Sequence, residues 1–153
     1  MQWKPHVTVA AIIERDGRYL MVEERPDGRV VYNQPAGHLE HGESLLDAVS
    51  REVREETAWA FVAEGLVGVY LYPHPDLARD ITYLRFCFHG RVHDHRPDQS
   101  LDEGILQAPW LSREELLQRQ AQLRSPLVLE CIDDYLAGRR YPLEMLHHHL
   151  PDA

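Results

Sequence analysis

The sequence predicts a mixed α/β (α+β) sandwich built as one domain over residues 1–153. Three observations predict it. Segments with strand-like alternation stand both before and after one amphipathic helix. Further helical patterns come late in the chain. Strands and helices do not alternate one for one, which excludes a regular βαβ series.

The elements follow in chain order. His6 to Glu14, HVTVAAIIE, is rich in apolar and β-branched residues and reads as a strand. Asp16-Gly17 turns the chain, and Tyr19 to Glu23 returns as a second strand. Val30 to Asn33 is a short third strand before the loop QPAGHLEHGE. Ser44 then caps a helix, with Asp47 placed as in a capping box, and the helix runs to Thr57. Phe61 to Tyr72 and Ile81 to Val92 are longer strands. In the latter, Tyr83, Arg85 and Cys87 alternate with Leu84, Phe86 and Phe88. Ile105 to Leu111 is expected as one more strand. Ser112 to Leu123 and Ser125 to Ala137 are expected as amphipathic helices.

Composition narrows the function. The chain is 44% hydrophobic and 27% charged, as a globular domain should be. Its apolar runs are too short to span a membrane, and the start MQWKPHVTV lacks a secretory pattern. A cytoplasmic protein is expected, with no membrane partner. Cys87 and Cys131 have no CxxC spacing and are expected as reduced core residues. A net charge of −9 argues against a broad basic surface for nucleic acid. It leaves room for a local basic pocket. All but one of the 16 basic residues are arginine, whose planar fork suits phosphate, although genome-wide codon bias is the preferred explanation of the excess.

The stretch REVREETAW, residues 51 to 59, raises the chemical question. Glu52, Glu55 and Glu56 fall at i, i+3 and i+4, where like charges repel on a helix. Leu45, Leu46, Val49 and Val53 define the buried stripe. At roughly 100° per residue, Glu56 lies in line with Val49 and Glu52 beside the stripe, away from the solvated side of Asp47, Ser50 and Arg54. The acids also stand in the last turns, where the helix dipole favours cations. Repulsion, the wrong helix end and desolvation thus coincide. Arg51 reaches Glu55 at i+4, but one arginine cannot neutralise three acids. A divalent cation can, and Mg²⁺ takes carboxylates, water and substrate phosphates as ligands. An ordinary charged helix face is the alternative. Gly37 and Gly42 just upstream weigh against it, because glycine lets backbone approach a ligand closely.

Gly37, Glu43 and the run Arg51-Glu52-Val53-Arg54-Glu55-Glu56 resemble the Nudix box, G-x5-E-x7-R-E-U-x-E-E-x-G-U, with U a bulky aliphatic residue. The chain departs at the end of the box, where Ala58 replaces glycine and Trp59 an aliphatic. That glycine closes the helix in a left-handed residue, which costs alanine about 1 kcal/mol. HVTVA, NQPAGHLE, YLRF, LRSPLV and GRRYPLEM are similar to one subgroup, the NudJ-type phosphatases. The resemblance implies the Nudix fold, a mixed β-sheet between helices. It implies Mg²⁺ as cofactor, with Mn²⁺ as a substitute. It implies removal of terminal phosphate from nucleoside tri- and diphosphates and from thiamine-type pyrophosphates.

The resemblance also assigns roles. Gly37, by its carbonyl, with Glu52 and Glu56 would ligate the metal, while Glu55 would bind through water or serve a second ion. Arg51 would orient a carboxylate. The base that activates water is open: a box glutamate, or an acid of the loop holding Asp102 and Glu103, for which a solvated acidic loop is the equal alternative. Apart from the resemblance, Tyr32, Asn33 and Gln34 before the loop, and Tyr70, Tyr72 and Arg85 on strands that can face the cleft, are the substrate candidates, with packing or surface positions as the commoner alternative for each. His89, His93 and His95 are expected as solvated loop residues, and His147 to His149 as a run able to hold a transition metal weakly, with no function implied. The expected partner is a small phosphorylated molecule, with the chain a monomer or weak homodimer. Three alternatives stay open: a pyrophosphatase cutting an internal linkage, a silent nucleotide-binding regulator, and an acidic interaction module without metal.

Overall fold

The computed structural model describes residues 1–151. Its centre is β1 (His6–Arg15), in which Val9 to Ile13 are shielded from solvent on both faces. A strand covered on both sides reads as a continuous apolar run, which is what VAAII supplies. β7 (Thr82–His93) pairs with β1 in parallel, with Thr8 opposite Arg85. β6 (Ala60–Pro73) pairs antiparallel with β7 along its whole length. The other side of β1 is shared. β5 (Ala36–His38) pairs with Thr8 to Ala10, and β2 (Arg18–Leu20) with Glu14 and Arg15. β9 (Trp110–Ser112) extends the sheet beyond β2. A second sheet places β3 (Val22–Glu24) between β4 (Val31–Asn33) and β8 (Ile105–Gln107). Helices cover both faces of the main sheet. Val9, Ala11, Ile13 and Phe88 pack toward α1 (Leu45–Thr57), while Ala10, Ile12 and Cys87 pack toward α3 (Leu127–Leu136). Among the described residues, no helix is long and apolar enough to cross a membrane.

Four expectations are corrected. The strand Tyr19 to Glu23 breaks at Met21, whose N–H donates to Pro109 O at 2.8 Å as the chain passes between sheets. Ile105 to Leu111 likewise splits into β8 and β9, because each half belongs to a different sheet and Pro109 has no N–H to pair. The helix expected over Ser112 to Leu123 stops early: α2 (Arg113–Gln118) gives way to a 3-10 turn at Gln120–Gln122. Its start is firm, since Ser112 and Glu115 satisfy each other's N–H groups. Finally, part of the loop QPAGHLEHGE is a strand, β5, held by β1.

α1 matches its expected limits. The Ser44 hydroxyl accepts from Asp47 N–H at 3.0 Å. Ala48, Val49 and Val53 carry the burial, while Leu45 and Leu46 are only half covered. Ala58 ends the helix in the left-handed region, at φ 63° and ψ 18°, with its N–H on Arg54 O at 3.0 Å. Trp59 fills the space beyond it, edge-on to Trp110 at 6.3 Å with the Arg15 guanidinium 4.9 Å above its ring.

The exit at Ala58 carries a steric cost that glycine avoids, about 1–2 kcal/mol. Against this, the Ala58 methyl is buried, and losing it costs about 0.8 kcal/mol. Ala58→Gly should therefore be neutral to stabilising by at most about 1 kcal/mol. Urea unfolding measures it, and a clear loss of stability would contradict the strained exit.

Candidate active site

The site starts from one arginine. Arg51 lies on the face of α1 turned to the loop before it. Its Nε and NH2 grip Glu43 at 3.0 and 2.7 Å, and NH2 also donates to His38 O at 3.0 Å. NH1 donates to Glu52 at 2.8 Å and to Glu55 at 3.2 Å, with Glu40 at 3.6 Å. The two-pronged contact with Glu43 fixes the guanidinium, and the fixed guanidinium aims Glu52 and Glu55. Arg51 also holds the Glu43 carboxyl below the usual range. The Glu43 side chain in turn accepts from Glu40 N–H at 2.8 Å and ties down the loop.

Gly37 is required by contact. A Cβ there would overlap the Glu52 carboxyl carbon and both its oxygens. The β5 backbone therefore lies directly against Glu52. One residue earlier, Ala36 N–H donates to Glu56 Oε1 at 2.8 Å. The loop acid arrives from far along the chain: Asp102 N–H donates to Glu55 O at 3.0 Å, which pins the loop to the last turn of α1. Oxygens of Glu52, Glu55 and Asp102 lie within 4.8 Å of one another. Glu103 stands exposed outside that group. Among the described residues, His89, His93 and His95 do not gather as ligands: His93 pairs with Asp94 at 2.6 Å and His95 stacks on Trp59.

Glu52 and Glu56 are buried, while Glu55 is partly exposed and Asp102 open to solvent. Burial raises the Glu52 carboxyl above its ordinary value, against the opposing pull of Arg51. Burial pushes Glu56 up to about 9, with the Ala36 N–H opposing and Glu52 adding to the rise. Hard oxygen donors crowded at this spacing, beside a glycine that leaves no room for a side chain, suit a small divalent cation.

Beside the acids lies a cleft of about 450 Å³. Asn33, Tyr72 and Arg85 line it, with Gly37 and Glu56. Three other substrate candidates are placed elsewhere. Tyr32 donates its hydroxyl to Glu23 at 2.8 Å and lies under Arg119. Gln34 is buried behind the cleft wall, with Nε2 on Val128 O at 2.7 Å. Tyr70 shares the face of Tyr72, but α3 covers it and its hydroxyl donates to Asp134 at 2.7 Å; the expectation that it faces the cleft is corrected. Sequence reasoning missed Tyr83, Arg79, Glu24 and Arg124, all of which line the cleft. Tyr83 stands in the same alternation as Arg85, and Arg124 in LRSPLV, so both left a signal. Glu24 left none, because its pairing with Arg124 at 2.7 Å spans a hundred residues of chain.

A mixed sheet between helices, with a glycine-backed cluster of helix acids at a cleft, defines a Nudix domain. The NUDIX domain model matches residues 4–131, and the chain belongs to the Nudix hydrolase family. Over 144 residues it is 42% identical to the phosphatase NudJ of Escherichia coli strain K12, covering 94% of this chain and 92% of that protein. A solved Nudix hydrolase from Nitrosomonas europaea is 52% identical, with a TM-score of 0.92 over 95% of this chain and 98% of that one. The Nudix domain of Shewanella oneidensis NrtR, solved with ADP ribose, shares the fold at 18% identity and a TM-score of 0.71, over 90% of each chain.

The buried Glu56 sets a pH dependence on the metal-free protein. Its ordinary value is 4.5 and its folded value about 9, so the folded state keeps a proton that the unfolded chain releases. Stability without metal should therefore fall as pH rises between those two values. Glu56→Gln mimics the protonated acid and should flatten that fall. Urea unfolding in a chelator across the range measures both slopes, and parallel slopes would remove Glu56 as their source.

Proposed function

We propose that this chain is a Mg²⁺-dependent phosphohydrolase that removes terminal phosphate from nucleoside tri- and diphosphates and from thiamine-type pyrophosphates. Mn²⁺ would substitute for Mg²⁺. The observation that carries the reading is the set of Glu52, Glu55 and Asp102 oxygens within 4.8 Å of one another, beside a cleft lined by three arginines. The identity to the NudJ phosphatase over nearly the whole chain supports the choice of terminal phosphate.

The problem for such a reaction is charge. A diphosphate repels an incoming nucleophile, and the site must offset its negative charge and hold water in line. The metal, held by Glu52, Glu56 and the Gly37 carbonyl with Glu55 through water or a second ion, would supply that neutralisation. Arg51 keeps Glu52 and Glu55 in place through its grip on Glu43. Asp102, exposed to solvent and without an ion pair among the described residues, is the candidate base that takes the proton of the attacking water. Glu103 is not part of this group, so of the two loop acids Asp102 is preferred. Tyr72 and Tyr83 offer rings against which an organic group can lie. The substrate is a small phosphorylated molecule, and we place the protein in the cytoplasm as a monomer or weak homodimer.

One observation favours a second reading. The fold-sharing NrtR domain was solved with ADP ribose, which has an internal diphosphate. Cleavage there yields two phosphorylated fragments, whereas terminal removal yields inorganic phosphate. Product analysis across nucleotides, thiamine pyrophosphate and nucleotide sugars should show inorganic phosphate from the first two classes. Paired phosphorylated fragments would support the second reading, and no turnover at all a silent binder.

Two further outcomes are expected. Glu56→Gln should fold, lose most turnover and bind Mg²⁺ more weakly; near-normal turnover at limiting Mg²⁺ would remove Glu56 from the ligand set. Mg²⁺ should raise the melting temperature of the wild type by binding only the folded cluster. Sodium chloride at matched ionic strength should do much less, and an equal effect would reduce the cluster to a screened charge patch.

A further inference from the structure

Among the described residues, Arg85 is a buried guanidinium without a counter-ion. It stands on β7, is 6% exposed and lines the cleft. NH1 donates to Gln34 Oε1 at 3.1 Å and toward Cys131 Sγ at 3.8 Å, and NH2 donates to Asn33 Oδ1 at 3.2 Å. These partners are amides and a thiol. Among the described residues, no carboxylate lies within 4.0 Å of Arg85 to form an ion pair. The acids of the cleft, and Asp134 of α3, are engaged elsewhere. Glu24 takes Arg124 at 2.7 Å, Glu56 takes the Ala36 N–H, and Asp134 takes Tyr70 and, at 3.6 Å, Arg139.

The cradle around Arg85 is built from fixed parts. Gln34 is 1% exposed. Its amide nitrogen is spent on Val128 O of α3, which turns its oxygen to Arg85. Asn33 and Gln34 sit at the end of β4 and just beyond it, so two neighbouring residues hold one guanidinium. A buried cation with neutral partners is a costly way to fill space, since a well-packed apolar residue does the same work without the loss of hydration. The guanidinium also has more N–H donors than these acceptors use. Both facts leave charge and donors for a ligand that enters the cleft.

The register locates that ligand. Arg85 lies beside Thr8 on β1, and Thr8 lies beside His38 on β5. Arg85 and His38 are thus two strand spacings apart, about 10 Å. The residue next to His38 is Gly37, whose backbone rests on Glu52. A long arginine side chain on one side and a phosphate group between them bridge such a gap. A neutral ligand would leave the buried charge uncompensated, whereas an anion would offset it.

We propose that Arg85 binds an oxygen of the substrate's diphosphate group directly, as an anion-recognition residue separate from the acid cluster. The identity of the anion rests on the function proposed above; the binding itself does not. Inorganic pyrophosphate, added with a chelator present, is the probe. It should bind the wild type in isothermal titration. Arg85→Gln should weaken binding about ten- to hundred-fold, the worth of one charge-assisted hydrogen bond. Glu52→Gln should leave it unchanged or tighter, because that acid repels the anion. In turnover with Mg²⁺, Arg85→Gln should raise KM while titration with Mg²⁺ alone stays at the wild-type value. Should Arg85→Gln fail to fold, Arg85→Lys carries the test, since it keeps the charge and loses the fork; its KM should rise about ten-fold for the one lost prong. Equal pyrophosphate affinity in wild type and Arg85→Gln, or an unchanged KM in Arg85→Lys, overturns the proposal. Arg85-dependent pyrophosphate binding without any turnover would keep the anion site and remove the hydrolase reading. Turnover that is indifferent to Arg85 would do the reverse.

Discussion

The docking of α1 against β5 is the constraint on which the rest depends. It brings helix carboxylates against strand backbone with no side chain between them, because Gly37 has none to interpose. Glu52 rests on Gly37, and Glu56 accepts the Ala36 N–H. Burying carboxylates this way opposes folding, and the apolar side of the same helix must offset it. Ala48, Val49 and Val53 do so by closing over Val9, Ala11 and Phe88 of the sheet. The packing that stabilises the domain and the strain that equips its site therefore sit on one thirteen-residue helix. Proteins accept such local cost where function requires it.

Arg51 keeps this arrangement single-valued. A cluster of acids on a flexible surface would spread apart by repulsion. Here one guanidinium reaches Glu43, Glu52, Glu55 and the His38 carbonyl at once. It thus joins the loop, the strand end and the helix in one network. The charge of that network stays negative, so the demand for a cation remains after the arginine is counted.

The chain is acidic as a whole, with a net charge of −9, yet its cleft is not. Arg79, Arg85 and Arg124 line it against two glutamates, and one of those is already paired to Arg124.

Part of the candidate site was legible in the sequence, and the reason is local. Glu52, Glu55 and Glu56 are helix neighbours, so their shared face follows from periodicity alone, and their proximity to the core follows from Val49 and Val53. Even the left-handed exit at Ala58 could be expected from the short chain left before β6. The long paired strands were legible for the same reason, since β1 and β7 carry their burial in their residues. What the sequence could not show depends on distant pairing. The breaks at Met21 and at Ala108-Pro109 exist because the chain changes sheets there, and no local pattern records which sheet a strand will join. Asp102 reaches Glu55, and Glu24 reaches Arg124, only when β3 and β8 are in place. Tyr70 and Tyr72 have the same parity on β6, yet α3 covers the first and leaves the second in the cleft. The sequence by itself determined the acid-bearing helix and its chemistry, because these depend on spacing along a few turns. Tertiary structure alone decided the shape of the cleft, the burial of Arg85 in its wall and which loop acid, Asp102 and not Glu103, joins Glu52 and Glu55, because these depend on residues that meet only after the sheets have paired.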